Sequence, residues 1–201
     1  MRRTRRKTKR KTKIGGSILG KGLSGTVYYP ALECKNNDTP RGNYVSKLVS
    51  KASGEKEFEN TKKLRELQPE YAIYPEFMCE SKDFENKYLL FSKFGGYSLS
   101  SYYTYLESLA YKTKNSKSLE KFDEKYFDHV ISALKKVKQE IRFLNEKGIY
   151  QGDISYDNIL YDEDIKKAYL IDFERNKKSD ESEKLEYLIN ELLEFKSKIL
   201  K

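Results

Sequence analysis

The residues that could do chemistry lie in Gln151-Gly152-Asp153-Ile154-Ser155-Tyr156-Asp157-Asn158-Ile159-Leu160 and in Leu170-Ile171-Asp172-Phe173-Glu174. Asn158 follows Asp153 by five residues, and Asp172 follows Asn158 by fourteen. Apolar residues flank each piece, so a core can hold these polar groups in place. One carboxylate can orient a hydroxyl and accept its proton, while an amide oxygen and a second carboxylate hold a metal ion. That donor set suits phosphoryl transfer from a magnesium-bound nucleotide. Asp-x-x-x-x-Asn alone arises often by chance; its order and spacing relative to Ile171-Asp172-Phe173 make it more specific. The plainer reading of both aspartates is a pair of capping or turn carboxylates. Against it, Ala168-Tyr169-Leu170-Ile171 reads as a strand with no reason to end in an acid.

A second signal is Gly20-Lys21-Gly22-Leu23-Ser24-Gly25-Thr26-Val27, of the form G-x-G-x-x-G-x-V. Glycines let backbone close over phosphates without side-chain collision. A dinucleotide site would need a helix directly afterwards, yet Val27-Tyr28-Tyr29 continues as strand. Alone, the match is weak and describes many β-turns.

These residues need elements to position them. Ser17 to Leu48 reads as short strands broken by glycine, with a loop at residues 36–43 and a strand over Tyr44–Val49 that carries Lys47. A helix fits Glu55 to Leu67 and stops before Pro69. Strands follow around Glu76–Ser81 and Lys87–Phe91, and Gly95-Gly96 marks a break. Beyond it, Phe127, Val130, Ile131, Leu134, Val137, Ile141 and Leu144 recur at three-four spacing, the stripe of one long buried helix ended by Gly148. Strands around Ile159–Tyr161 and Ala168–Ile171 precede a last helix opening near Asp180, where Glu183 suggests a capping box. A strand-rich first half and a helical second half indicate α+β.

Composition narrows the partners. Of the 40 Lys and Arg residues, nine lie in residues 1–13 with no acid among them; the remaining 31 match the 31 acids. The basicity belongs to a tail expected to be disordered, able to neutralise phosphates of nucleic acid or another polyanion. A solvated extension without a partner is the alternative. The apolar stretch after it is too short for a signal peptide or a membrane span. Cys34 and Cys79, without Cys-x-x-Cys spacing, read as two structural thiols in a reducing, intracellular compartment, cytoplasm or nucleus, and are too few for a structural zinc site. His129, the only histidine, falls in a helical stretch. The seventeen tyrosines, spread through strands and helices, read as packing residues.

In order, these parts resemble the protein-kinase-like superfamily over roughly residues 17–195. The glycine loop comes first, then the strand lysine in Val45-Ser46-Lys47, a helix glutamate, the hinge-like Phe91-Ser92-Lys93-Phe94, and the Asp153/Asn158 and Asp172 pieces. The resemblance implies a bilobal fold, a strand-rich N-lobe at about 14–94 and a truncated, mainly helical C-lobe at about 95–201. It implies ATP and Mg2+ as cofactors, with Gly20, Gly22, Gly25, Val27 and Lys47 at the nucleotide and Asn158 and Asp172 at the metal. Asp153 would be the catalytic base, and Lys47 would pair with Glu59, which stands ten residues before Pro69; Glu55 and Glu57 remain rivals.

Departures from the pattern bear on the acceptor. Gln151-Gly152 stands where protein kinases have His-Arg, Ser155 replaces a lysine, Glu174 replaces the glycine of Asp-Phe-Gly, and no proline follows Pro75. Only 29 residues follow Asp172, an expected single helix. The chain therefore looks like a minimal atypical Ser/Thr kinase of the RIO type or the small kinase of the KEOPS complex. Its Gly-Asp-x-x-x-x-Asn-Ile-Leu phrasing is also similar to aminoglycoside and choline phosphotransferases and lipopolysaccharide kinases. In composition it resembles proteins of large DNA viruses. The readings to separate are a kinase acting on a protein substrate, a small-molecule kinase, and a catalytically weak scaffold whose tail finds a polyanion.

Overall fold

Two antiparallel sheets and five α-helices make up the described part of the computed structural model, residues 16–22, 25–115, 125–173 and 181–199. The basic tail, Glu174 and Asp180 lie outside the described residues. The larger sheet contains β1 (Ser17–Gly22), β2 (Gly25–Tyr29), β3 (Tyr44–Ser50), β4 (Phe77–Glu80) and β5 (Lys87–Lys93), in the order β1-β2-β3-β5-β4. β3 is central and pairs in full register with β5, from Tyr44 opposite Lys93 to Ser50 opposite Lys87. Its buried Ser46 is satisfied, because Leu32 N donates to Ser46 Oγ at 2.8 Å. A small apolar cluster of Tyr28, Leu32, Cys34, Leu89 and Phe91 covers one face of this sheet.

Helix α1 (Lys51–Asn60) leaves β3 directly, with Ser50 Oγ accepting from Ser53 N at 3.2 Å as its N-cap. The single helix expected over 55–67 is two, because Thr61 interrupts it before α2 (Lys62–Leu67). The buried Thr61 hydroxyl turns back to Glu57 O (3.0 Å) and Phe58 O (3.1 Å), competing with the helical ladder. Arg65 closes the break from below, donating to Phe58 O at 2.6 Å and Pro75 O at 3.1 Å. Gln68 ends α2 in the left-handed region, one residue before Pro69.

The smaller sheet contains β6 (Tyr97–Ser98), β7 (Ile159–Asp162) and β8 (Lys167–Leu170). Residues 71–73 lie along β8, with Ile73 N on Leu170 O and Leu170 N on Tyr71 O, both at 2.8 Å. Gly95 and Gly96 lie where the chain passes between the sheets, and at Gly96 the backbone itself leaves no room for a side chain. A Cβ on Gly95 would sit 2.2 Å from Ile73 Cδ1, and one on Gly96 (φ +91°) would sit 2.0 Å from Tyr161 O.

Helices α3 (Leu99–Asn115), α4 (Lys125–Glu146) and α5 (Glu181–Ile199) enclose the main core. All seven residues of the α4 stripe are buried, and Gly148 follows in the left-handed region (φ +71°) with Ile149 N on Leu144 O at 2.9 Å. His129 lies on α4, where its Nε2 is 3.5 Å from Lys166 Nζ.

The two-thiol reading is corrected: Cys34 and Cys79 form a disulfide. Residues 33–35 run beside residues 80–82, with Lys35 N on Glu80 O (2.9 Å) and Lys82 N on Glu33 O (3.0 Å), and this pairing brings the two Cα atoms to 5.8 Å. A sequence separation of 45 hides such a pair from any spacing rule. The reducing compartment inferred from free thiols loses its ground with them. Among the described residues no helix is long and apolar enough to cross a membrane.

Candidate functional site

β1 and β2 form a hairpin in which Gly22 faces Gly25 and Gly20 faces Val27. Leu23 and Ser24, between them, lie outside the described residues. The glycines do different work. A Cβ on Gly20 or Gly22 would meet nothing within 4 Å, whereas one on Gly25 would meet Leu48 O at 2.6 Å. Gly25 lets β2 press onto β3; Gly20 and Gly22 keep bare backbone on the wall of a cleft.

That cleft encloses about 520 Å3 between the hairpin and the start of the smaller sheet. Val27, Val45, Leu90 and Ile171 give it apolar walls, and Lys47, Glu57, Asn158 and Asp172 give it charge and oxygen donors. A cavity of about 650 Å3 lies elsewhere, behind the Lys93-Phe94 connection. Neither the glycines of the hairpin nor Asn158 and Asp172 line it, so it offers no comparable chemistry.

β3 places Lys47 between Val27 and Leu90. Its Nζ donates to Glu57 Oε2 at 2.7 Å, with both side chains largely shielded from solvent. The expected partner Glu59 is corrected to Glu57. Helix α1 turns the face carrying Gly54 and Glu57 inward, the side that the buried Thr61 and Leu64 continue across the break, and Glu59 lies about 200° around the axis from Glu57, exposed. Glu55 is also exposed, near Lys51 at 3.8 Å. Glycine at 54 makes the face legible: a Cβ there would meet Val49 Cγ2 at 3.0 Å, so this side must approach the sheet.

The Asp153 loop is built from backbone and amide hydrogen bonds. Asn158 Nδ2 donates to Asp153 O at 2.9 Å, and Ile171 N donates to Asn158 O at 3.1 Å. Asp172 follows β8 in the left-handed region (φ +60°), a conformation that costs a non-glycine residue about 1–3 kcal/mol and is held by its surroundings. The structure thus brings Gly20, Gly22, Gly25, Val27, Lys47, Asn158 and Asp172 to one cleft. Asp153 adjoins it through Asn158 without being part of its lining, and Glu59 stays outside.

Sequence reasoning missed Gln151 as a functional residue. It is 1% exposed, and its one side-chain amide spans both carboxylate segments. Nε2 donates to Ile171 O (2.9 Å) and Asp172 O (3.2 Å), while Oε1 accepts from Asp153 N (2.6 Å). Its place two residues before Asp153, where the motif departs from its usual wording, was the available signal.

Oxygen donors at Asn158 and Asp172 suit a hard divalent cation. Asn158 spends its nitrogen on Asp153 O, which assigns its oxygen to the ligand side. Magnesium takes one or two protein ligands and completes its shell with phosphate oxygens and water. The residues present fit that ion.

No family model and no curated protein matches the chain. Among solved structures it is similar to the crystal structure of Rad53 1–466 in complex with AMP-PNP, at 19% sequence identity and a TM-score of 0.45. The match covers 78% of this chain and 36% of that one. So distant a likeness bears on neither the activity nor the ligand of this chain.

Proposed function

We propose that the chain is an ATP-dependent phosphotransferase of bilobal, protein-kinase-like architecture, an atypical kinase that passes the γ-phosphate of Mg-ATP to a serine or threonine hydroxyl of a protein. One observation carries this reading. A lysine held by a shielded glutamate and two oxygen donors face the same cleft, beneath a hairpin whose glycines leave backbone bare.

In this reading the larger sheet with α1 and α2 is one lobe, and the smaller sheet with α3, α4 and α5 is the other. Lys47, oriented by Glu57, contacts the α- and β-phosphates. Asp153 orients the acceptor hydroxyl and takes its proton as the hydroxyl oxygen bonds to the γ-phosphorus and the bond to ADP breaks. Asn158 and Asp172 would hold magnesium, which would neutralise charge on the phosphates. Gly152 leaves no cationic side chain beside Asp153 to receive a regulatory phosphate, which favours a site that is not gated by phosphorylation.

The test is ATP turnover and self-labelling with Mg2+ for wild type, Asp153→Asn and Asp172→Asn, offering basic and acidic test proteins beside a metabolite panel. Turnover that both substitutions abolish with the fold retained supports the proposal. A wild-type chain without turnover, or variants as active as wild type, overturns it. Transfer to metabolites alone would reassign it as a small-molecule kinase. A separable proposal concerns residues 1–13, whose nine cations without an acid suit a nucleic acid or another polyanion.

A further inference from the structure

The cavity of about 650 Å3 behind the Lys93-Phe94 connection backs onto the cleft, because Ile73, Lys93 and Phe94 line both. Two of its cations are neutralised, Lys93 by Glu76 at 3.3 Å and Lys167 by Glu70 at 2.9 Å. Arg65 is not. Its hydrogen bonds all end on neutral oxygens: Nη1 donates to Thr61 Oγ1 (2.9 Å) and Pro75 O (3.1 Å), and Nη2 to Phe58 O (2.6 Å). A guanidinium has five N–H groups, so two remain, and no carboxylate among the described residues forms an ion pair with it. Phe58 covers one face, its ring centroid 3.7 Å from Arg65 Cζ, and burial pulls the Arg65 pKa below its ordinary value. A cation held in place, partly withdrawn from water and with donors to spare, favours an anion. Beside it stands Tyr74, whose hydroxyl has no hydrogen-bond partner among the described residues. Tyr169 and Phe94 add aromatic surface to the same walls.

Arg65 is also wired to the cleft. Thr61 Oγ1 accepts from Arg65 and donates to Glu57 O, and the Glu57 carboxylate holds Lys47. A ligand on Arg65 therefore bears on the helix that orients Lys47, and a ligand against Phe94 bears on the wall shared by the two spaces.

We propose that this cavity is a second ligand site, taking a small aromatic carboxylate. The carboxylate pairs with the spare N–H groups of Arg65, the ring lies among Tyr74, Phe94 and Tyr169, and occupancy is felt at Lys47. The volume is that of a small-molecule site, and Glu70 and Glu76 on its walls disfavour a polyanion. The binding part rests on geometry alone; the coupling rests on the phosphotransferase reading.

The experiment titrates the full chain by calorimetry with benzoate, 4-hydroxyphenylacetate and indole-3-acetate, each beside its neutral amide. Amide nitrogen and hydrogen shifts locate the bound probe. At least one acid should bind about 10–10²-fold more tightly than its amide, the scale of a charge-assisted hydrogen bond, with shifts gathered at residues 65–76 and 93–94. Arg65→Gln should weaken the acid by a similar factor, and Tyr74→Phe by about 2–10-fold. With the acid bound, kcat/KM for ATP should change by about 5-fold or more.

Failure of all three acids to bind, equal affinity for acid and amide, or shifts that map to Gly20 and Gly22 instead overturns the site. If Arg65→Gln fails to fold, the acid-against-amide comparison in wild type and the milder Tyr74→Phe carry the test. Unchanged turnover with the acid bound overturns the coupling. A wild-type chain without turnover refutes the phosphotransferase reading and with it the coupling, and calorimetry then decides the site by itself.

Discussion

Lys47 shows how little a single charge means until its partner is known. Its strand follows from local sequence, while its register against β2 and β5 is set by sheet pairing and its acid by the rotation of α1 against the sheet. Glu57→Gln should therefore lower kcat/KM by about 10–10²-fold, the range expected when a positioned group loses its orienter. Glu59→Gln, on the exposed side, should leave kcat/KM at the wild-type level. Steady-state kinetics of the two variants side by side checks this; equal losses would return Glu59 to the site. Gln151 belongs to the same scale. No composition or periodicity marks it, because its role lies in two oxygens and one nitrogen brought within 3.2 Å by segments twenty residues apart.

Among the elements, the Gly95-Gly96 passage between the sheets, α5 and the edge near Cys34 each make a claim that can be measured. Gly96→Ala places a Cβ 2.0 Å from Tyr161 O at a positive φ, so about 1–3 kcal/mol of stability should be lost, with a lower urea midpoint. Cys79→Ser opens a cross-link spanning 45 residues and should cost about 2–4 kcal/mol, seen as a fall in Tm that reductant reproduces in wild type. Reductant without effect on Tm would place both residues back among free thiols. For α5, whose buried Glu181 accepts from Gly152 N, the pH dependence has a definite sign. Burial raises the pKa of Glu181 above its ordinary value of 4.5, opposed by the Gly152 and Gln151 N–H groups and by Lys184. The protonated form is favoured by folding, so its stabilising share is full below the unfolded pKa and is lost as pH rises through the folded value. Relative to Glu181→Gln, wild type should lose stability as pH climbs from about 4.5 upward, measured by urea unfolding across that range. A difference that is flat in pH would remove the burial argument.

At the scale of the whole molecule, a cleft shared by two sheets implies that its ligand stabilises the fold. Mg-ATP at a hundred times its Kd should add about 2.7 kcal/mol and raise Tm accordingly. In Asp172→Asn the magnesium-dependent part of that rise should vanish while a nucleotide-only part survives. The tail–polyanion proposal has its own signature. Deleting residues 1–13 should abolish salt-sensitive DNA or RNA binding and leave turnover intact. Binding that survives the deletion with its salt dependence unchanged would assign it to another surface.

The sequence by itself determined the α4 stripe, the central strand with Lys47, the break at Gly95-Gly96, and the spacing of Asp153, Asn158 and Asp172. Each of these is written in neighbouring residues: a helical period, a run of strand formers, a pair of glycines, a motif within one loop. Tertiary structure alone decided that Glu57 rather than Glu59 meets Lys47, that Cys34 and Cys79 join, and that Gln151 and Glu181 hold the Asp153 loop. Those contacts bridge residues 10, 45, 20 and 29 positions apart. Helix rotation, edge pairing and the burial of a carboxylate against backbone N–H groups are settled only when whole elements pack, and no local pattern encodes them.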